Sequence, residues 1–290
     1  MSKTISSTLI SDVLIETGEC LAPTKVAPLK VFARDFSDDA EAYVNGKFKT
    51  AKIAFTDTAP TVAVNPTSFG VDDSSSTSAV EVGINLLSVP IMANWNDTVS
   101  IKQYVKAALQ ALVQKMVLTS TSLFTTTAFP AAKQVSVDIS GATDDDKANA
   151  LLKTLYKATK EGVNKYLIGD SDLYSLALPS NLNGFKPEQG GWGFSGIYEN
   201  NVWAADTTVK GIITDGRAVA MVARVPEFAQ EIRNGLESEN IYIEPLDLTV
   251  QFNKWADLNG RIVKGSLDIG FGAALLDKSA SKIVLQTADK

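Results

Sequence analysis

Apolar residues along this chain change period several times, and each change predicts a different element. Between 97 and 119 they fall at Ile101, Val105, Ala108, Leu109, Leu112 and Met116, with Lys102, Gln103, Lys106, Gln110 and Gln114 on other faces. That is helical spacing. No glycine or proline interrupts it, and Asp97 stands where an N-cap belongs. The pattern predicts one long amphipathic helix of roughly 30 Å. A second helix is predicted from Asp144 to Glu161, with a stripe of Leu151, Leu152, Leu155, Tyr156 and Thr159. Asp144, Asp145 and Asp146 sit at its positive end, Lys153, Lys157 and Lys160 toward its negative end, and Gly162 suits the C-terminal cap.

Elsewhere the period falls to two. Phe48, Ile53 and Phe55, then Val62 and Val64, and finally Val80, Val82, Ile84 and Leu86 make residues 47 to 93 read as strand. The polar run from Gly70 to Ser78 between them reads as a mobile tip. A lone two-stranded excursion is marginal, so it needs a surface to lie on. Residues 1 to 44 are weakly patterned. Leu9, Ile10, Val13, Leu14 and Ile15 predict a short helix, and Asp35, Asp38, Asp39 and Glu41 make the next stretch acidic. This segment reads as an arm that packs on other surfaces, or as a frayed terminus.

After the second helix, Lys165 to Asp170 reads as a strand ending in a turn. Leu173 to Leu178 reads as a short helix stopped by Pro179, and residues 180 to 200 as a glycine-rich loop. Strands are expected at Val202 to Ala204, Gly211 to Thr214 and Ala218 to Val222, then a short amphipathic stretch from Glu227 to Arg233. Ile241, Ile243 and Leu248 to Phe252 lead into a hairpin that has Trp255 on one side and Ile262, Leu267, Ile269 and Phe271 on the other. Its turn is Asn259-Gly260. Ile283 to Leu285 predict a closing strand. No internal repeat or domain linker is visible.

Composition narrows the chemistry. The 290 residues include no histidine and one cysteine, Cys20. That removes histidine-based general-base catalysis, Ser-His-Asp and Cys-His nucleophiles, and histidine-containing zinc sites. One cysteine makes no intrachain disulfide and suits a reducing compartment. Cys20 itself, with no basic neighbour to activate it, reads as a small half-buried apolar residue. With 45% hydrophobic and 21% charged residues the chain is an ordinary globular sequence. Its net charge of −6, from 27 basic and 33 acidic residues, argues against a dedicated nucleic-acid or membrane-surface binder. The N-terminus has no signal-peptide core and no apolar run reaches bilayer length, so a soluble, cytoplasmic product is expected.

The short motifs point away from chemistry. Gly191-Trp192-Gly193-Phe194-Ser195-Gly196 matches GxGxxG, but Ile197 to Ala204 looks extended where a nucleotide site needs a helix. A loop pinned by Trp192 and Phe194 is the expected reading. Asp170 and Asp172 are the one candidate carboxylate pair, with nothing in the sequence to separate their pKa values. Asp72 and Asp73 sit on the flexible tip. Glu227 and Glu231, with Arg224 and Arg233, read as a charged helix face or an ion-pair strip between subunits. No catalytic, cofactor or metal residues are assigned.

The order of parts resembles the HK97-like fold of tailed-bacteriophage major capsid proteins. The resemblance is carried by the helix at Asp97–Thr119, the strand and turn Lys165–Asp170, and the stretches Gly193–Asn200 and Gly211–Val222. The last looks like the family's A-domain strand pair. The resemblance covers about residues 45–286 and rests on order rather than on an invariant motif. It implies an α+β fold with an N-terminal arm at 1–44, an E-loop-like two-stranded excursion at 45–93, and a spine helix with part of the P-domain at 94–140. An A-domain-like α/β region at 141–235 and a β-rich return at 236–290 would follow. It also implies a non-enzymatic capsid subunit. Many copies, as hexamers and pentamers, would form an icosahedral virion shell around double-stranded DNA after synthesis in a host cytoplasm. Scaffolding, decoration and portal proteins are further implied partners, and membranes are not. The alternatives are an encapsulin-like nanocompartment shell and a carboxylate-dependent enzyme.

Overall fold

The structure is a computed structural model that describes residues 7–21, 26–37, 50–56, 77–91, 98–142, 144–159, 164–178, 190–201, 208–226, 236–257, 262–278 and 281–287. In chain order, helices α1 (Ser7–Leu21) and α2 (Ala27–Phe32) lead into strand β1 (Ala33–Asp35). Strands β2 (Ala51–Thr56), β3 (Thr77–Val82) and β4 (Asn85–Ile91) precede the long helix α3 (Thr98–Thr121). Then come β5 (Gln134–Val137), α4 (Asp145–Ala158), β6 (Tyr166–Gly169), α5 (Ser171–Ser175) and β7 (Gly196–Glu199). The chain continues through β8 (Val209–Thr214), β9 (Val219–Arg224) and β10 (Leu236–Ile243). It closes with β11 (Leu248–Asp257), β12 (Ile262–Leu275) and β13 (Ser281–Gln286).

Helix α3 forms where its apolar spacing predicts. Its 24 residues span about 36 Å. Ile101, Val105, Leu109, Leu112 and Met116 are buried, and so are Val113 and Val117, which widen the stripe. This face packs on the first sheet, against Val250, Phe252, Leu267 and Ile269. Each of these side chains contributes about 1.5–3 kcal/mol by leaving water. The expected cap, Asp97, lies outside the described residues.

The first sheet is organised around β12, 14 residues long. β4 lies along one edge of β12, from Gly265 to Phe271. On the other edge β11 pairs with Ile262 to Asp268, and β9 with Gly270 to Leu275. Gly270 faces Leu86 of β4 and Arg224 of β9 at once, so β9 and β4 are on opposite sides. β9 and β11 therefore share one edge end to end, with a break at Ile269. β10 continues the β11 branch and β1 runs parallel to β9 on the other.

The second sheet has the order β5-β13-β8-β6-β7 and mixes parallel and antiparallel pairs. Its strands are apolar on both faces. Ile168, Ile212 and Ile283 join the core under α3, while Leu167, Ile213 and Val284 pack against Leu152 and Leu155 of α4. This two-sided burial explains the short continuous apolar runs. The chain passes between the sheets repeatedly: β5 and β13 enter the second, whereas β9 belongs to the first.

Several expectations change. The N-terminal helix is 15 residues long, and Ile10, Val13 and Leu14 are buried in the main core beside α3. The surface this segment needed is its own chain. The alternating run Val80 to Leu86 is not one strand: it breaks after Val82, and Leu86 is exposed because β4 turns to join β12. Residues 180–200 are not all loop, since Gly196 to Glu199 pair in parallel with β6. α4 ends at Ala158, with extended backbone at Thr159, and Gly162 lies outside the described residues. The short helix after β6 starts two residues earlier than expected, because Asp170 caps it. Gly211 to Val222 is no strand pair: β8 and β9 lie in different sheets. Gly216, at φ 91° and with the Val31 carbonyl close to where a Cβ would stand, turns the chain between them.

Candidate assembly surfaces

The β2–β3 ribbon is a two-stranded sheet of its own, apart from the two larger sheets. Its strands pair from Ala51 opposite Val82 to Thr56 opposite Thr77. Ala51, Ile53 and Val82 face inward and pack on Ala220, Val222 and Leu276. Lys52, Ala54, Ala79 and Glu81 face outward. The exposed pair Lys52–Glu81, at 3.3 Å, adds little stability in water. The base is seated tightly. A Cβ on Gly272 of β12 would collide with the Gly83 carbonyl oxygen and stand 3.0 Å from Val82 Cγ1. The ribbon is thus clamped at its root. The expected tip, Val71 to Ser78 with Asp72 and Asp73, lies outside the described residues except for the backbone of Thr77 and Ser78 in β3.

Exposed large apolar side chains are dispersed. Val99 and Tyr104 are on α3, Leu86 on β4, Leu178 after α5 and Tyr242 on β10. Single exposed apolar residues of this kind are ordinary.

The break in the first sheet opens a notch of about 530 Å³ between its two branches. Asp35, Ser37, Arg224 and Pro226 line one side, and Asn240, Tyr242, Thr249 and Gln251 the other. The Asp35 carboxylate accepts the Ser37 backbone N–H at 2.8 Å and the Ser37 hydroxyl. Tyr242 donates to Asp247 at 2.8 Å, which raises the phenol pKa, and Lys30 approaches the same carboxylate at 3.6 Å. Of the charged strip read from sequence, only Arg224 is described, and it is half-buried here; Glu227, Glu231 and Arg233 lie outside the described residues.

On the polar face beside the notch, two rows cross the strands: Ser88, Asp268, Gln251 and Asn240, then Pro90, Ser266, Asn253 and Ser238. Gln251 donates to the Pro226 carbonyl and to Asn240, each at 3.1 Å. Ser266 at 2.8 Å and Asn253 both donate to Oδ2 of Asp268. Asp268 is 3% exposed, and its Oδ1 has no hydrogen-bond partner. Only the middle of these rows is buried, at Gln251, Asn253, Ser266 and Asp268, while Ser88, Pro90, Ser238 and Asn240 at their ends are exposed.

The candidate carboxylates Asp170 and Asp172 both approach the Lys210 ammonium. Asp170 Oδ1 accepts the Leu173 N–H at 3.0 Å as the cap of α5, and its Oδ2 lies 3.0 Å from Lys210 Nζ. Asp172 lies 3.9 Å from the same ammonium and is exposed. A depression of about 500 Å³ beside them is lined by Asp172, Lys210, Ser140, Ser175 and Gln286. Asp144 caps α4 by accepting the Lys147 N–H at 2.9 Å, which holds its carboxyl below the ordinary value.

The GxGxxG segment is a tight turn. Trp192 at φ 52° and Gly193 at φ 91° reverse the chain, and Gly191 and Phe194 bridge. Strand β7 follows it instead of a helix, so no helix N-terminus is offered to a phosphate. Trp192 donates to Asn149 of α4, and the buried Phe194 meets Tyr156 edge-on at 5.6 Å. Among the described residues no group of three acidic or cysteine side chains could hold a metal, and no helix is long and apolar enough to cross a membrane. Cys20 is exposed on α1, not half-buried.

No protein-family model matches the chain, and no curated protein matches its sequence. Solved structures do match its fold. One is the virus-like particle from Pyrococcus furiosus, at 10% identity and TM-score 0.54, covering 97% of this chain and 99% of that one. Another is the capsid of the empty GTA particle, at 10% identity and TM-score 0.51, covering 91% and 90%. The α+β architecture built around β12 and α3 is therefore the HK97-like fold of capsid shells.

Proposed function

We propose that this chain is a major capsid protein. Many copies would assemble as hexamers and pentamers into a closed icosahedral shell around packaged double-stranded DNA. The observation that supports this reading is the near end-to-end match with two particle-forming proteins. The parts take roles accordingly. α3 serves as the spine, and the clamped β2–β3 ribbon as the arm laid over a neighbour. Within 1–44, α1 is not the part that clasps a neighbour, because its apolar face is used on α3. DNA contact would be independent of sequence and confined to the inner face. Scaffolding, decoration and portal proteins complete the partner set, and the mature location is the virion after synthesis in the host cytoplasm.

The test is size. Purified protein or lysate, viewed by negative-stain electron microscopy and light scattering, is expected to show closed shells. Only monomers to tetramers under every assembly condition overturns the proposal. A second reading is a nanocompartment shell with protein cargo, since the fold match to a virus-like particle carries no information about contents. Nuclease-protected DNA in purified shells selects the first reading; shells with protein cargo and no DNA select the second.

A further inference from the structure

Two opposite charges near the notch are unspent, and they are neighbours. Among the described residues Arg224 has no side-chain partner. Asp268, 3% exposed, keeps one oxygen without a hydrogen bond. Arg224 stands directly opposite Gly270 on the same face of the sheet, and Asp268 is two residues along β12. Diagonal neighbours of this kind are about 7–8 Å apart, within reach of a long side chain. Gly270 puts no side chain between them.

A foreign ligand fits poorly. An anion drawn to Arg224 meets the carboxylates of Asp35 and Asp247 in the same notch. A cation bound for Asp268 meets Arg224. Each unspent group is the best complement of the other, since a guanidinium fork matches a carboxylate.

Packing also connects this pair to the ribbon. The ribbon base, Ile53 and Val82, packs on Val222, and Arg224 is the next residue of β9 on that face. A load on the ribbon is therefore carried into β9 at the break, where no strand ties β9 to β11. We infer that seating the ribbon on a neighbouring subunit closes the notch and forms a buried Arg224–Asp268 ion pair that the lone subunit lacks. This rests on the shell-forming reading above.

The experiment is a double-mutant cycle of Arg224→Gln and Asp268→Asn, followed by thermal melting of shells and of unassembled subunits. In shells each single variant lowers the melting midpoint by at least about 3 °C, and the double variant falls no further than the worse single one. In unassembled subunits Arg224→Gln melts with wild type. Additive losses in shells, or an equal loss from Arg224→Gln in both states, overturns the inference. If Asp268→Asn fails to fold, a cryo-electron-microscopy map of wild-type shells decides. A guanidinium farther than about 4 Å from the Asp268 carboxylate overturns it. Wild-type protein that forms no shell overturns the shell reading and this inference together; shells with Arg224 turned away overturn the inference alone.

Discussion

Gly83 and Gly272 cross with so little space that a side-chain carbon on Gly272 would strike the Gly83 carbonyl oxygen. The reverse does not hold, because a Cβ on Gly83 would meet nothing within 4 Å. The crossing joins the root of the β2–β3 ribbon to the central strand β12, so one small residue sets how the ribbon leaves the body.

That asymmetry gives the first prediction. Gly272→Ala forces the ribbon root away from β12 and costs about 1–3 kcal/mol, whereas Gly83→Ala stays within about 0.5 kcal/mol of wild type. Chemical denaturation measures both. Limited proteolysis of Gly272→Ala should show faster cutting within the ribbon. Equal stability of the two variants overturns the clamp.

Along α3, burial and exposure alternate within one turn. Leu112→Ala empties space between the helix and the first sheet and should cost about 2–5 kcal/mol. Gln110→Ala, on the exposed face, should change stability by less than about 0.5 kcal/mol. Urea melts of both variants check this.

Asp170 separates a structural carboxylate from a chemical one. Asp170→Asn keeps an oxygen to cap α5 and loses only the pairing with Lys210, so it should cost less than about 1 kcal/mol. Asp170→Ala also loses the cap and should cost about 1–2 kcal/mol. Thermal melts rank the two. An assayable hydrolytic activity abolished by Asp170→Asn with stability intact would favour the enzyme reading.

The pH response follows from the depressed carboxyls. Glu16 is held below its ordinary value by the hydrogen bond and charge of Lys106. Asp138 is held down by the Ser140 hydroxyl, the Gly141 N–H and Gln286, and Asp144 by the Lys147 N–H. A lowered folded pKa contributes stability above the unfolded value and loses it as pH falls through the folded one. The melting midpoint should therefore hold between about pH 6 and 8, where no histidine titrates, and fall below about pH 4.5. Glu16→Gln should flatten part of that acid limb. A step near pH 6.5 in the unassembled subunit contradicts this account.

Local chemistry determined much of this protein in advance. The apolar spacing of Ile101 to Met116 specified α3, because a 3.6-residue stripe is stable only as a helix with one face buried. Asp144 and Lys147 specified where α4 starts. Phe194, Trp192 and the extended residues after them ruled out a phosphate loop without reference to anything distant. The absence of histidine removed whole classes of catalysis.

What only the tertiary structure decided are relations between residues far apart in sequence. Nothing near Gly272 announces that Gly83 will cross it. Nothing near Leu14 says that its partner is α3, and so the N-terminal segment looked detached. Val80 to Leu86 keep a strand period across the point where the chain leaves the ribbon for β12, because periodicity records which faces are apolar and not which strand lies alongside. The break at Ile269, which leaves Arg224 and Asp268 close but unpaired, arises because two strands separated by the whole of β10 share one edge of a third. Such pairings are settled by the simultaneous packing of all the strands around β12, a condition that no local stretch of sequence contains.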